Sequence, residues 1–305
     1  MPVHKLVKDF WLPALVALAV LVALVVYPIW RDTVEKNRDA RADPHHIAGG
    51  LYFVGAPDVT SFLLLGPDGD ILIDGGYENS AHKIIDNIAQ LGFDIKNVRV
   101  LLASDGHLDH AGGLAELQRV SRAALWTSDD NADLIASGGR QDPSQAEIED
   151  RFVAWAGITS YPAPRVDHRL KDGQTVRLGP LAVTAHLAGG CTAWTFTVQE
   201  RSRDLRVVHR CDLPVPSRGT LADPAKAPAV RADFEQRTSM LRSLPVDIWL
   251  SSHGVDYGRY RKFEAALHAA DPVAPFIDPE GYLKSIDASE AKLRELLADL
   301  QANTP

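Results

Sequence analysis

The chain has 305 residues, 46% hydrophobic and 24% charged, which is enough apolar material for one large core or two small ones. Its formal net charge is -8, with acids and bases interspersed, and this excludes the basic stripe of a nucleic-acid-binding surface. Nucleic acid is therefore not an expected partner, whereas a membrane is.

The membrane expectation comes from the start of the chain. Residues 12–30 carry no charge, and a helix rising about 1.5 Å per residue would cross a hydrocarbon core of about 30 Å. Trp11, Tyr27 and Trp30 bracket the run at interface depth. The apolar stretch is long for a signal peptide and no small-residue cleavage site follows promptly, so residues 1–30 are expected as an uncleaved transmembrane anchor. Cleavage, with release of the remainder, is the alternative. Lys5 and Lys8 on one side face Arg31, Lys36, Arg38 and Arg41 on the other, so charge does not choose the orientation. Residues 31–45 are charged and aperiodic and read as a linker; residues 46–305 read as the folded domain.

Within that domain short strands are expected at 51–55, 60–66 and 70–74. A helix fits 79–91, where Ala81, Ile84, Ile85, Ile88 and Leu91 share one face. A buried strand over 98–103 leads into a polar loop, then a helix over 111–121, a strand over 123–127 and a short helix over 130–136. Residues 138–165 are rich in Gly, Pro and polar residues, with a candidate helix at 145–156. Strands return at 174–178, 181–186, 193–200 and 205–210. A helix over 227–243, a strand over 246–251 and helices over 258–270 and 286–301 follow. Two runs of strands interleaved with helices imply packed sheets covered by helices.

The polar loop after residue 103 carries the chemistry. Ser104-Asp-Gly-His-Leu-Asp-His110 places His107, Asp109 and His110 within four positions at the end of a buried strand. Imidazole nitrogen and carboxylate oxygen are the donors an open zinc site accepts most readily. His253 follows a second buried strand and precedes Gly254. Asp105 admits three roles: an oxygen ligand, a hydrogen-bond partner of His107, or an ordinary turn residue before Gly106. His45, His46, His82, His168, His209 and His268 show no partner pattern. Folding residues 194–210 about Arg201-Ser-Arg-Asp204 brings Cys191 nearly opposite Cys211, so a bridge or two buried thiols would fit.

This loop resembles the HxHxDH motif of the metallo-β-lactamase superfamily. Leu51-Tyr-Phe-Val-Gly55, Ile71-Leu-Ile-Asp-Gly-Gly76, Asn87-Ile-Ala-Gln-Leu-Gly92 and Ala111-Gly-Gly113 resemble the family's neighbouring segments. Cys191-Thr-Ala-Trp-Thr195, Asp247-Ile-Trp-Leu-Ser-Ser-His253 and Phe276-Ile-Asp-Pro-Glu-Gly-Tyr282 are similar to subclass B3 in particular, and the likeness spans residues 46–300. It implies an αββα sandwich, located in the periplasm, and a hydrolase acting on a β-lactam or another cyclic amide or ester. Asp109, His110 and His253 correspond to one complete zinc trio, with Asp109 also orienting the attacking water. Of the other trio only His107 is present. Asp105 stands at the first histidine, and Ala185-His-Leu-Ala-Gly-Gly-Cys191 is about four residues shorter than the segment that carries another. One zinc per chain is therefore expected rather than two. His186 lies beside the shortened segment and is a substitute-ligand candidate. Asp212 stands where the family has a ligand or supporting carboxylate, Leu213 replaces a serine, and Asp74 is expected to support the metal loop. The alternative is a catalytically inactive, membrane-tethered relative that keeps the fold for binding.

Overall fold

Strand Val98–Ala103 shows how the layers arise. From Val100 onward its side chains alternate, as a strand's must: Val100 and Leu102 face one apolar cluster, while Leu101 and Ala103 face another. A strand buried on both sides requires a layer above and a layer below. The computed structural model supplies both; it describes residues 18, 21, 40–140 and 160–302.

The first sheet has seven strands in sequential order: β1 (His45–Ala48), β2 (Leu51–Phe53), β3 (Phe62–Leu64), β4 (Asp70–Ile73), β5 (Val98–Ala103), β6 (Ala124–Ser128) and β7 (His168–Leu170). Pairing is antiparallel from β1 to β4 and parallel from β4 to β7. Helices α1 (Ser80–Gln90), α2 (Leu108–Ala111), α3 (Leu114–Ser121) and α4 (Asp129–Ala136) come from this half, and Ile84, Ile88, Leu114 and Leu117 cover its outer face.

The second sheet runs β12-β11-β10-β9-β8, built from β8 (Thr175–Leu178), β9 (Leu181–Ala188), β10 (Cys191–Glu200), β11 (Arg203–Arg210) and β12 (Ile248–Ser251). Helices α5 (Arg218–Ala222), α6 (Ala227–Ser243), α7 (Arg259–His268) and α8 (Pro279–Ala302) belong to this half. Phe62, Ile73, Leu102, Trp194, Val207 and Leu250 fill the space between sheets, and Phe234, Leu241, Tyr282 and Ile286 extend the cluster into α6 and α8. The result is an α/β sandwich with helices outside both sheets, as the strand and helix pattern implies.

Several elements differ from expectation. β7 and α5 fell in stretches too short to show a period. α8 starts at Pro279 rather than near 286. The Asp278 carboxylate accepts the Gly281 N–H at 2.9 Å, and proline suits the first helical position. β1 begins at His45, the last residue assigned to the linker, and that histidine is buried against Phe53 and Phe263. The candidate helix at 145–156 lies outside the described residues.

The membrane expectation is corrected. Among the described residues no helix is long and apolar enough to cross a membrane. The expected span 12–30 lies outside the described residues except for Leu18 and Leu21, both helical and exposed. The transmembrane helix, the membrane partner and the periplasmic anchoring that depended on it are withdrawn.

Candidate metal centre

β5 and β12 lie in different sheets, and each ends at the same edge of the sandwich. After β5, His107 is extended (φ −74, ψ 155) and caps the single turn of α2, whose His110 and Ala111 N–H groups donate to the His107 carbonyl at 3.1 and 2.8 Å. This turn lets the adjacent Asp109 and His110 reach one point, which a strand would forbid. Ile-Asp-Gly-Gly holds the turn from beneath: the Gly75 N–H donates to the His110 carbonyl at 2.8 Å, and Gly76 bridges Ala111. The approach is close enough that a Cβ on Gly113 would lie 2.3 Å from the Gly75 carbonyl oxygen. The Asp74 carboxylate accepts the Ser104 N–H at 2.7 Å, so Asp74 supports the loop as expected.

His253, two residues beyond β12, forms an antiparallel bridge with Val59. The Thr60 N–H donates to the Ser252 carbonyl at 3.0 Å, and the Gly254 N–H donates to the Asp58 carbonyl at 2.6 Å. The loop carrying Asp58 thus fixes the histidine's backbone. Asp58 Oδ1 also lies 3.6 Å from His253 Nδ1, a placement that orients the ring. Sequence reasoning missed Asp58, because an aspartate after proline reads as a turn residue; its only signal was one carboxylate in an otherwise apolar stretch.

Asp109, His110 and His253 offer donor atoms that all lie within 4.8 Å of one another. Asp109 divides its two oxygens: Oδ1 is 3.7 Å from His110 Nε2 and Oδ2 is 3.7 Å from His253 Nε2. Tetrahedral zinc, with bonds of about 2.1 Å, sets its ligand atoms about 3.4 Å apart. The trio therefore fits a zinc ion if its donor pairs close by at most about 1.4 Å, the difference between that spacing and the 4.8 Å limit. It is the single such group among the described residues.

The other sequence candidates surround it. Asp212 Oδ2 is 3.0 Å from His253 Nε2 and 3.8 Å from His110 Nε2. Asp105 is buried; its Oδ1 lies 3.3 Å from His107 Nδ1 and accepts the His107 N–H at 2.8 Å, while Oδ2 is 3.8 Å from His110 Nε2. His107 itself has a side chain 60% exposed to the cleft, outside the trio. His186 does not enter the site: its Nε2 lies 2.8 Å from Thr195 Oγ1. The shortened segment is a two-residue hairpin turn. Gly189 and Gly190 both have positive φ, 55° and 75°, the conformation such turns require. Cys191 and Cys211 are bridged, with Cα atoms 5.8 Å apart. Both line the cleft of about 640 Å³ that contains His107, Asp105 and Asp212.

The carboxylates govern protonation. Burial favours neutral His253, yet the Asp212 and Asp58 contacts outweigh it and raise the ring to about 10. Burial likewise opposes charge on His110, but Asp105, Asp109 and Asp212 hold it well above the usual histidine value. Asp105 raises His107 to about 9 by hydrogen bond and charge. Burial would raise Asp105 itself, but the His110 and His107 charges hold it down at about 2. Asp212 is pushed far below the carboxylate range: burial opposes this, and its contacts with His110 and His253 prevail.

Residues 54–253 match the family model described as the metallo-beta-lactamase superfamily. Among solved structures, the Rm3 metallo-beta-lactamase is 32% identical with a TM-score of 0.78, covering 88% of this chain and 98% of its own. The native FEZ-1 metallo-beta-lactamase from Legionella gormanii is 29% identical with a TM-score of 0.76, covering 85% and 97%. BJP-1, a subclass B3 metallo-beta-lactamase of Bradyrhizobium japonicum, is 27% identical with a TM-score of 0.75, covering 88% and 98%. With the sandwich, the ligand loop and the trio at one sheet edge, these matches establish that the chain belongs to the metallo-beta-lactamase superfamily.

Proposed function

We propose that this protein is a hydrolase working from a single zinc ion, held by Asp109, His110 and His253, and that its substrate is a cyclic amide, such as a β-lactam, or an ester. The carrying observation is the convergence of those three donors beside a cleft, with His107 left outside the group. Zinc held there supplies Lewis-acid polarisation of a carbonyl and lowers the pKa of water toward 7. The chain's own residues do the rest. Asp109, with a side chain 22% exposed, faces both imidazoles and can orient an attacking water. Asp58 holds His253, and Asp212 supplies the negative charge that counters a cation at this end of the cleft.

Support for one zinc rather than two comes from the other side of the cleft. His107 has a carboxylate at 3.3 Å in place of a histidine, and the two turn residues Gly189 and Gly190 carry no side chain that could serve as a further ligand. His107→Ala is accordingly expected to leave zinc content near one per chain, with affinity changed less than about tenfold, short of the loss expected when a residue bound directly to the metal is removed. Atomic absorption on dialysed protein checks this; loss of all metal would make His107 a ligand of the occupied site.

The raised histidines set a pH dependence. At pH 7 the metal-free protein carries protons on His110 and His253, and zinc requires both rings neutral. Zinc affinity should therefore rise with pH from 6 to 8, approaching about a hundredfold per unit if both protons leave on binding. The sign for stability without metal is opposite. A folded-state pKa raised above 6.5 contributes stability that is full below 6.5 and lost as pH climbs through about 10. Thermal melts with and without zinc should diverge as pH rises; a zinc-induced shift that shrinks between pH 6 and 8 contradicts the protonation scheme.

The decisive measurement pairs zinc content with turnover of a chromogenic cephalosporin and simple lactones. One zinc with turnover supports the hydrolase. No zinc and no turnover would favour the inactive relative, a reading motivated by Asp105 and Leu213 standing in place of polar family residues.

A further inference from the structure

A buried cation sits beside the strand that leads to His253, and the mechanism above does not use it. Arg210 ends β11 with its side chain only 5% exposed. Its Nε and Nη1 have no hydrogen-bond partner among the described residues. The guanidinium lies over the Trp249 ring, 5.4 Å from the centroid. Its ion pair is with Asp256, where the Nη2–H donates to Oδ2 at 3.2 Å.

Stability alone gives no reason for this residue. Taking a guanidinium out of water is costly, and one half-exposed carboxylate recovers only part of that cost. Apolar side chains put in place of buried ion pairs are often neutral or stabilising. What the pair does is close the turn that begins at His253. The Asp256 N–H donates to the His253 carbonyl at 3.2 Å. Ser251, two residues before His253, donates its Oγ–H to the same Asp256 Oδ2 at 3.1 Å. Arg210 and Ser251 are register partners across β11 and β12, so one carboxylate oxygen gathers both strand ends. The Asp58 loop holds Gly254, near the start of the turn, and Arg210 holds its far end. Two residues beyond Arg210, Asp212 reaches the His253 ring at 3.0 Å. The end of β11 therefore grips both the backbone turn and the imidazole.

We infer that Arg210 is a positioning residue for the metal site: through Asp256 it locks the His253–Asp256 turn to β11, and so sets where the His253 imidazole meets Asp109 and His110. Those two ligands follow β5 of the first sheet, whereas β11 and β12 belong to the second. The spacing of the trio depends on how firmly each sheet holds its share. Groups behind the ligands typically change metal affinity about 10–100-fold when they are lost.

The inference rests on the proposed zinc site, and the test separates the two. Zinc affinity is measured by chelator competition for the wild type, Arg210→Met, Arg210→Lys and Asp256→Asn, alongside melting of each metal-free protein. Visible spectra of the cobalt(II)-loaded proteins report ligand geometry, to which d10 zinc is silent. Lys keeps the charge and a donor for Asp256, whereas Met keeps only the bulk over Trp249. Asn keeps an acceptor for Ser251 but leaves the buried guanidinium without its counter-charge. The expected result is zinc affinity weakened about tenfold or more in Arg210→Met and Asp256→Asn, with an altered cobalt spectrum in both. Arg210→Lys should stay within about threefold of the wild type and keep its spectrum. Metal-free Arg210→Met should melt no lower than the wild type. Unchanged affinity and spectrum in Arg210→Met overturn the inference. Weakening accompanied by a lowered metal-free melting point overturns it too, leaving Arg210 a packing residue. An equal loss in Arg210→Lys does the same, because the Asp256 contact would then not be what matters. If Arg210→Met does not fold, unchanged affinity in Asp256→Asn overturns the inference instead. A wild type that binds no zinc overturns the metal site and this inference with it, whereas zinc binding indifferent to Arg210 overturns this inference alone.

Discussion

His253→Ala is expected to remove the bound zinc and with it any hydrolysis. His253 is one of only three donors in the cluster, and it alone comes from the second half of the chain. Its loss leaves Asp109 and His110 from one helical turn, a pair that cannot enclose an ion. Affinity should fall by about a thousandfold or more, beyond the 10–100-fold typical of residues behind the ligands. The metal-free variant should still fold, since the side chain is part-exposed and Val59 holds the segment through backbone pairing. Zinc titration followed by a melt would show this as loss of the zinc-induced shift at an unaltered metal-free baseline. A variant that retains tightly held zinc would move the site elsewhere.

The second large effect concerns the disulfide. Cys191 and Cys211 are 20 residues apart, and a cross-link closing a loop of that length stabilises by about 3 kcal/mol in the chain-entropy model. The double change to Ser should therefore lower the unfolding free energy by about that amount in urea titration. The site should feel the loss as well. Cys211 directly precedes Asp212, whose carboxylate contacts both His110 and His253, and both cysteines line the cleft. A stability loss below about 0.5 kcal/mol would mean that β10–β11 pairing alone already holds this edge.

Much of this was legible along the chain, and the reasons are local. α1 announced itself because Ala81, Ile84 and Ile88 repeat at helical spacing, and all three are buried. β5 was visible because five of its six residues are buried and, apart from the exposed Arg99, form an apolar run. Asp109 and His110 stood out because their spacing within one turn carries the chemistry. Short elements such as β7 and α5 were not legible, since three to five residues cannot display a period.

What the sequence by itself determined, then, is the set of parts: strands and helices long enough to repeat, the donor types, and the cysteine pair. What only the tertiary structure decided is which parts meet. His253 is 143 positions from His110, yet their ring centroids are 5.3 Å apart, because β5 and β12 end at one edge of two stacked sheets. The partners of those rings depend on the same stacking. Asp58 meets His253 through the bridge at Val59, and Asp74 meets His209 only across the sheet interface. Side-chain periodicity is a property of neighbours in the chain, whereas a metal site depends on neighbours in space. Those are set by how apolar faces pack, which no single segment encodes.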